Sequence, residues 1–380
     1  MKNIVFIHQS AELYGSDKTL LLLLKYLDKT KYTTFVILPN DGLLKTELEK
    51  ENIKVFIAPV LKLYRKMFSP KNFSKFLFQK KEAFSILNKL HKLHKFDIVY
   101  SNTLAVLAGM LFAKRNNIKH IWHVHEIIVH PKIIAFIFPK LMMYFADLVI
   151  CNSNATKDNI TKRVQFLELK TIVIYNGVEE TDSLSQSINK QKLNFNSDDI
   201  VVTLVGRISR LKGHKWLLDT YISKLSDIKT LKIVFVGSPV ENQEFYLEEI
   251  ETIISQNNLT DVVKILPFTK DLQKIWEFTD IAIMPSTEAE SFGMVAVEAM
   301  FAQKPVIGSN HGGLKEIIDN EKTGFLIEPN NQTQLADAIL KLIKNSELRL
   351  QFGKSGFEKA KNQFSIQNYI QKFEETFSRF

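Results

Sequence analysis

At 380 residues, with 45% hydrophobic and 24% charged side chains, the chain is too long for one ordinary core and has the composition of a folded soluble protein, so we expect two domains. Its single cysteine, Cys151, excludes an internal disulfide and indicates a reducing compartment. The formal net charge of +9 favours an anionic partner, although charge alone does not distinguish nucleic acid, acidic lipid and a phosphorylated substrate.

Neither of the two most apolar stretches has the pattern of a targeting or membrane-spanning segment. The run at residues 4–7 is too short for a signal peptide. The longer run at residues 133–150 is interrupted by Pro139, Lys140 and Asp147, which makes a spanning helix improbable. Together with the cysteine count, these features predict a cytoplasmic protein.

The first half of the chain alternates short β-rich runs with helical patterns. The runs that predict strands are residues 4–8, 35–38, 55–58, 97–101, 120–124 and 147–151. Helical patterns separate them, among them residues 18–27, 43–50 and 104–114. Continuously apolar strands separated by helices are typical of a parallel sheet covered on both faces, so residues 1–178 are predicted to form a doubly wound α/β domain.

The second half repeats this arrangement. The predicted strands are residues 200–206, 231–237, 262–266, 280–285, 305–309 and 324–328. We therefore predict a second doubly wound domain over residues 200–364. Residues 179–199 are polar and lack apolar periodicity, which predicts a linker between the domains. If the domains face each other, the carboxyl ends of their strands surround one cleft, where open α/β sheets bind ligands.

The most informative strand end leads into residues 285–316. A buried strand opens through a polar loop into a helix predicted from about Phe292 to Gln303, and the free N–H groups of such a helix start favour an anion such as phosphate. Glu290 precedes this helix and Glu298 lies in its second turn. Phosphate would repel both, so they are expected to face neutral hydroxyl groups; the alternative for Glu298 is a solvated helix residue.

A basic loop follows the first strand of the second domain. Gly206-Arg207 and Lys212-Gly213 bring a planar guanidinium and a compact ammonium together, and the two can hold a diphosphate from two directions. Taken alone, these two cations would more often be solvated. Their position on the same predicted sheet as Glu290 favours the diphosphate site.

Two strand ends of the first domain also carry polar residues. After the first strand, Gly15 can bring backbone close to a ligand, and Ser16 or Asp17 can cap the next helix. In WHVHE, strand alternation aims His123 and His125 to one side, so a metal site that also uses His120 and His130 is an alternative to hydrogen-bonded imidazoles. No G-x-G-x-x-G or Walker motif occurs, which disfavours a nicotinamide cofactor.

Several separated motifs occur in the order found in one known family. They are WHVHE at residues 122–126, GRISRLKG at 206–213, ILPFTKDLQKIW at 265–276 and ESFGMVAVE at 290–298. In these motifs the chain resembles the large retaining glycosyltransferase family 4. The resemblance implies the GT-B fold, with two Rossmann-like domains facing across a cleft and a final helix, about residues 365–380, packed back on the first domain.

The resemblance also implies roles for individual residues. The catalytic group is implied to be His125, which reaches the donor sugar from the first domain, with Arg207, Lys212 and Glu290. Donor binding is implied for Gly15, Ser16, Arg207, Lys212, Phe268, Ser291, Phe292, Gly293, Met294 and Glu298, with Glu298 on the ribose. The chain has Tyr14-Gly15 where the family commonly has two glycines, and Phe268 where a glycine is frequent, so the choice of base does not carry over.

These implications predict a metal-independent retaining glycosyltransferase. It would move a sugar from a UDP- or GDP-linked donor to a glycan or lipid-linked glycan, in surface polysaccharide or glycolipid assembly, with no cofactor beyond the donor. A nucleotide-sugar epimerase, a phosphorylase or a non-catalytic partner subunit can share the two-domain plan and stays an alternative. A nucleic-acid partner is suggested by charge alone, and we expect none.

A membrane surface is a further predicted partner. Residues 61–81 contain seven lysines and arginines and no acidic residue, interleaved with Tyr64, Phe68, Phe73, Phe76 and Phe78. Lysines can meet anionic headgroups while aromatic rings enter the interface, which predicts peripheral attachment to the inner membrane surface. The alternative is an ordinary helix that covers the sheet with a basic outer face.

Overall fold

The computed structural model describes residues 1–62, 70–180 and 190–380, without the side chains of 70–73. These residues form two compact units: unit 1 is Met1–Gly177 with Ile366–Phe380, and unit 2 is Val178–Ser365. The predicted linker over residues 179–199 lies outside the described residues at positions 181–189. The basic-aromatic segment of residues 61–81 lies partly outside them as well.

Unit 1 is a parallel sheet with helices on both faces. Its strands within the described residues are β1 (Lys2–His8), β2 (Tyr32–Leu38), β3 (Lys54–Ile57), β4 (Ile98–Asn102), β5 (Lys119–Val124), β6 (Leu148–Cys151) and β7 (Thr171–Val173). Its helices are α1 (Gly15–Tyr26), α2 (Leu43–Lys50), α3 (Pro70–His94), α4 (Leu107–Asn116), α5 (Lys132–Phe145), α6 (Asn154–Thr161) and, at the end of the chain, α14 (Ile366–Ser378). The strand order is β3-β2-β1-β4-β5-β6-β7.

Alternating residues of β1 supply the two cores of unit 1. Val5 and Ile7 lie in the core beneath α3, α4 and α5. Ile4 and Phe6 lie in the opposite core, which α14 closes with Phe373 and Phe377. Burial of both faces explains why β1 is a continuous apolar run. Lys2 Nζ also donates to the Phe377 carbonyl at 2.8 Å, which ties the last helix to the first strand.

Unit 2 has the same plan. Its strands are β8 (Ile200–Val205), β9 (Leu231–Val236), β10 (Val263–Leu266), β11 (Ile281–Met284), β12 (Val306–Ser309) and β13 (Gly324–Ile327). Its helices are α7 (His214–Thr220), α8 (Phe245–Gln256), α9 (Gln273–Phe278), α10 (Met294–Phe301), α11 (Leu314–Ile317), α12 (Gln332–Lys344) and α13 (Ser346–Phe364). The strand order is β10-β9-β8-β11-β12-β13, and every pairing is parallel.

Both halves confirm the predicted doubly wound α/β fold, with local differences. The strand β7, Thr171–Val173, was not predicted, because three residues are too few for an apolar pattern to stand out. The helix expected to run to about Gln303 ends at Phe301, and Gln303 takes a left-handed φ of 54°. Within the described residues, no helix is both long and apolar enough to cross a membrane.

The order of the strands marks one position in each sheet where a ligand is favoured. The chain winds outward in both directions from β1 and β4 in unit 1, and from β8 and β11 in unit 2. At such a switch point the loops after the two central strands separate and leave a crevice at their carboxyl ends. The predicted strand-end motifs discussed below lie at or next to one of these two positions, except the segment at Phe268, which follows the edge strand β10.

Candidate functional site

An ion pair occupies the switch point of unit 2. Lys212 lies in the loop after β8, and its Nζ is 2.6 Å from Oε1 of Glu290, which lies in the loop after β11. The aliphatic part of the lysine passes over Gly206, since a Cβ built on this glycine would lie 3.4 Å from the lysine Cδ and Cε. Lys212 is 31% exposed and Glu290 19%, so solvent still reaches the pair. Lys212 and Glu290, which were predicted from two separate motifs, therefore form an ion pair in the structure.

Two further side chains complete the surroundings of Glu290. Ser286 Oγ donates to Glu290 Oε1 at 2.6 Å, and His311 Nε2 lies 2.9 Å from the Ser286 carbonyl oxygen. Burial opposes ionisation of Glu290, but the nearby Lys212 ammonium and the hydroxyl of Ser286 outweigh it and hold its pKa below the ordinary value. The group is therefore a carboxylate that accepts hydrogen bonds and does not serve as a proton donor near neutral pH.

Glycines bring the loops of this site into direct backbone contact. Gly213 has φ 77°, and a Cβ there would lie 1.9 Å from the Pro285 carbonyl oxygen. Gly312 has φ 60°, and a Cβ there would lie 2.2 Å from the Glu290 carbonyl oxygen, which accepts the N–H of Gly313 at 2.7 Å. Only glycine meets both requirements of conformation and space. The loop after β11 is thereby held by Gly213 at Pro285 and by Gly312 and Gly313 at Glu290.

Helix α10 supplies the remaining residues predicted after β11. Its N-cap is Gly293 with φ 120°, so the predicted N–H groups of Ser291, Phe292, Gly293 and Met294 lie where the loop becomes helix. Phe292 is buried and packs edge to face on Phe364 with ring centroids 5.7 Å apart, which anchors the helix start. Glu298 lies in the second turn, as predicted, and is only 9% exposed, which disfavours the solvated alternative.

Two more residues that were predicted to bind the nucleotide-sugar donor lie at the surface of unit 2. Arg207 follows β8 and its side chain is exposed. Phe268 follows β10, is 37% exposed, and its N–H donates to Ser238 Oγ at 3.2 Å. In the same loop as Lys212, Arg210 pairs with Glu288, and both are more than half exposed. The Arg210–Glu288 pair is the solvated counterpart of the partly buried Lys212–Glu290 pair.

A chain of buried polar side chains lies at the switch point of unit 1. His8 Nε2 is 2.6 Å from Asp17 Oδ1, and His8 Nδ1 is 2.9 Å from Asn102 Nδ2. On its other side, Asn102 Oδ1 is 2.9 Å from His125 Nε2. His8 and Asn102 end the central strands β1 and β4, and His125 follows the neighbouring strand β5. His125 is therefore one member of a connected network and not an isolated imidazole.

Of the two capping residues predicted after β1, Asp17 caps the start of α1 and Ser16 does not. The N-cap of α1 is Tyr14, whose N–H donates to Asp17 Oδ2 at 2.9 Å, so Asp17 both stabilises the helix start and pairs with His8. Ser16 lies in the first turn and is not the N-cap. A Cβ built on Gly15 would have no neighbour within 4 Å, so the predicted approach of a ligand to this backbone is sterically open.

The neighbouring histidines have partners of their own. His120 lies 2.9 Å from Ser101 Oγ and 3.1 Å from the Phe145 carbonyl, and burial lowers its pKa to about 4. His123 Nδ1 is 2.6 Å from the Tyr100 hydroxyl, and its ring lies 3.8 Å from that of His125, on the same side as alternation predicted. Across the described part of the chain, no group of three or more His, Cys, Asp or Glu residues could hold a metal ion.

Sequence reasoning missed four residues of these two networks: Ser286, His311, His8 and Asn102. Each is a polar residue at or just after the end of a predicted strand, and that position was the available signal. Ser286 follows β11 by two residues and His311 precedes the paired glycines after β12. His8 and Asn102 are the last residues of β1 and β4.

Comparison with solved structures identifies the class to which this architecture belongs. The structure of Anabaena Alr3699/HepE in complex with UDP-glucose matches with a TM-score of 0.86 and 26% identity, and the match covers 100% of both chains. Two Rossmann-like α/β units, each with polar residues at its switch point, define a protein of the GT-B fold.

Two family models then cover most of the sequence in order. Glycosyltransferase Family 4 matches residues 14–182, and Glycosyl transferases group 1 matches residues 185–359. The chain belongs to this glycosyltransferase family, as the motifs indicated.

Curated relatives agree with this assignment. Glycosyltransferase MJ1178 of Methanocaldococcus jannaschii is 32% identical over 260 residues, which are 67% of this chain and 66% of that protein. The capsular polysaccharide biosynthesis glycosyltransferase CapM of Staphylococcus aureus is 26% identical over 253 residues, 65% of each chain. About a third of each relative lies outside the match.

Proposed function

We propose that this protein is a glycosyltransferase that moves a sugar from a nucleotide diphosphosugar to an acceptor hydroxyl, with UDP as the leaving group. The observation that carries the proposal is the Lys212–Glu290 pair at the switch point of unit 2, whose lysine lies in the same loop as the exposed Arg207. The HepE structures, which are 25–26% identical to this chain, contain UDP, UDP and glucose, or UDP-glucose, which supports this choice of donor.

Different residues of unit 2 bind different parts of the nucleotide-sugar donor. Lys212 and Arg207 hold the diphosphate, helped by the N–H groups of residues 291–294 at the start of α10. Glu298 accepts hydrogen bonds from the ribose hydroxyls. The backbone near Phe268 meets the base. Unit 1 contributes His125, which contacts a hydroxyl of the sugar, and the loop at Gly15 and Ser16, which approaches the donor.

Charge balance accounts for the reaction. As the bond from the anomeric carbon to the phosphate oxygen lengthens, negative charge collects on the departing UDP, and Lys212 and Arg207 stabilise it. Two cations meet the diphosphate, so we expect transfer without a metal ion. Glu290 is held ionised by Lys212 and Ser286, so it orients sugar hydroxyls as an acceptor and is not the acid of a glycosidase pair. We infer retention of anomeric configuration, as in the family the chain belongs to.

A panel of nucleotides tests this proposal. UDP-glucose, UDP and GDP-mannose should be compared in thermal unfolding with EDTA present, since a ligand that binds only the folded state stabilises it by about 2.7 kcal/mol at a hundred times its Kd. We expect stabilisation by UDP and its sugars and little by GDP-mannose. Equal unfolding temperatures with every nucleotide, together with retention on DNA at physiological salt, would contradict the proposal.

The acceptor is proposed from chemistry and from the names of relatives. CapM is a capsular polysaccharide biosynthesis enzyme, and a Salmonella typhimurium relative, 30% identical over 191 residues, is a lipopolysaccharide 1,2-N-acetylglucosaminetransferase. We propose that the acceptor of this chain is likewise a glycan or lipid-linked glycan of surface polysaccharide or glycolipid assembly, used at the inner face of the membrane.

Two exposed apolar surfaces of unit 1 support peripheral attachment to a membrane. On α3, Leu77 is 50% and Phe78 is 70% exposed, close to the exposed Lys75. On α5, Ile133, Phe136, Lys140 and Tyr144 follow one another at helical spacing on one face. Tyr144 is 78% exposed, and Lys140 Nζ lies 3.9 Å from the centre of the Phe136 ring. Apolar side chains interleaved with lysines suit an anionic lipid interface.

Vesicle sedimentation tests the attachment. Each lysine near an anionic surface contributes roughly 1 kcal/mol, so binding should require anionic lipid, fall with salt, and weaken strongly when four lysines become glutamine. The four residues are Lys66, Lys71, Lys75 and Lys80. A control variant with the same change of charge replaces four lysines of unit 2, namely Lys224, Lys322, Lys344 and Lys354.

The control variant should bind like the wild-type protein. Replacing Phe136 and Tyr144 by glutamine should weaken binding further at high salt, where apolar contacts remain. Binding to neutral vesicles as strong as to anionic ones would contradict the role of the lysines, and no binding to either would leave a soluble enzyme with a soluble acceptor.

A further inference from the structure

The buried network at the switch point of unit 1 has a defined direction of hydrogen bonding. At one end is Asp17, whose carboxylate oxygens only accept: Oδ2 accepts the Tyr14 N–H at 2.9 Å, and Oδ1 faces His8 Nε2 at 2.6 Å. His8 therefore carries its proton on Nε2. In the neutral ring its Nδ1 is then a lone pair that accepts from Asn102 Nδ2 at 2.9 Å.

The orientation of the Asn102 amide has a second support. Its Nδ2 also lies 3.4 Å from the Ser16 carbonyl oxygen, which cannot donate and would repel the amide oxygen. The contact of His8 Nδ1 with the Asn102 main-chain carbonyl, at 3.4 Å, is longer than its contact with the amide nitrogen. Asn102 Oδ1 consequently points to His125.

The direction continues to the last member. Asn102 Oδ1 is an acceptor, so His125 Nε2, 2.9 Å away, is the protonated nitrogen. The other ring nitrogen, Nδ1, is buried and has no hydrogen-bond partner among the residues that the structure describes. A buried polar atom without a partner is costly in a folded protein and points to a group that arrives later. The backbone at His125 is held by Glu126 Oε2, which accepts the N–H groups of Leu104 and His125 at 3.0 Å each.

We propose that Asn102 is a positioning residue that holds His125 as the tautomer protonated on Nε2, so that the Nδ1 lone pair accepts a hydrogen bond from a hydroxyl of the transferred sugar. This inference rests on the proposed function for the identity of the hydroxyl, but not for the tautomer. Burial lowers the pKa of His125 to about 3, so the ring stays neutral when the donor binds. A neutral ring with this tautomer accepts a hydrogen bond from a hydroxyl group and does not attract phosphate.

The tautomer can be measured without any substrate. In protein labelled with ¹⁵N-histidine, the chemical shifts distinguish a protonated from an unprotonated ring nitrogen, and loss of signals in His125→Gln assigns the residue. We expect an unprotonated Nδ1 in the wild-type protein. Asn102→Asp keeps an acceptor opposite Nε2 and should keep this tautomer, whereas the similarly sized Asn102→Leu removes the acceptor and should populate both tautomers.

Two results would overturn the assignment. One is a protonated Nδ1 on His125 in the wild-type protein, a measurement that needs no variant to fold. The other is an unchanged His125 tautomer in folded Asn102→Leu, because the Asn102 amide would then not determine which ring nitrogen of His125 is protonated.

Kinetics with a chosen probe test the role in binding. With UDP-glucose, measured as release of UDP, Asn102→Leu should lower kcat/KM by about tenfold, the usual size of one lost hydrogen bond. Against the four monodeoxy analogues of UDP-glucose, this penalty should disappear for one analogue, the one that lacks the hydroxyl bound by His125. The same penalty with all five donors would show a merely structural effect and overturn the role. Absence of UDP release by the wild-type protein from any sugar nucleotide would refute the proposed function and leave the tautomer result standing.

Discussion

Replacing Lys212 by alanine should lower turnover by on the order of a hundred- to a thousandfold while the protein stays folded. One positioned donor to a developing negative charge is typically worth about 2.7–4 kcal/mol of the barrier. The variant also leaves Glu290 without the ammonium that lies 2.6 Å away, so the carboxylate would repel the incoming diphosphate. Arg207→Ala should have a loss of similar size. Release of UDP under saturating donor measures both.

The same loop offers a matched control. Arg210 pairs with Glu288 at the surface, with 64% and 55% of the side chains exposed, and such exposed pairs contribute little. Arg210→Ala removes a cation that lies between Arg207 and Lys212 in the sequence, and it should leave turnover within about threefold of the wild-type value. Near-normal transfer by both Arg207→Ala and Lys212→Ala would refute the diphosphate site.

Variants of Glu290 and Glu298 should differ in which quantity they change, turnover or the binding of UDP. Glu290→Gln keeps the shape of the side chain but loses the charge, so we expect turnover to fall by about a hundredfold while the Kd for UDP changes little. Glu298→Gln weakens hydrogen bonds to the ribose, so the Kd for UDP should rise by about tenfold or more. Calorimetric titration with UDP measures binding, and release of UDP from UDP-glucose measures turnover.

An exposed carboxylate of the same loop controls for the change of charge. Glu288→Gln alters neither the switch point nor α10, and both quantities should match the wild-type protein. If Glu298→Gln proves to impair turnover alone and Glu290→Gln impairs binding of UDP alone, the two roles must be exchanged.

All described strands except β7 were predictable because each contains a short apolar run between polar segments. β1 is an example: residues 4–7 alternate between two cores, so all four are apolar. The ends of the elements depend on single backbone conformations instead. α10 stops at Phe301, and the left-handed φ of Gln303 that follows has no signature in residue type. β7 has only three residues and no pattern of its own.

The members of the unit 2 site were predictable one by one, but their pairing was not. Lys212 and Glu290 are 78 residues apart, and only the adjacency of β8 and β11 brings them within 2.6 Å. Ser286 and His311 have no motif of their own and acquire a role through Glu290. The network through His8 and Asn102 is likewise a product of strand order, because β1 and β4 become neighbours only in the folded sheet.

The glycines of the unit 2 switch point restrict how this protein could be engineered to use a different sugar nucleotide. Gly213 and Gly312 touch the carbonyl oxygens of Pro285 and Glu290 directly, so any side chain at either position would displace the main chain that carries the carboxylate. A mutant library randomised throughout these loops would consist mostly of misassembled variants. Useful diversity is confined to exposed side chains such as Phe268, which can change size without moving the backbone of the site.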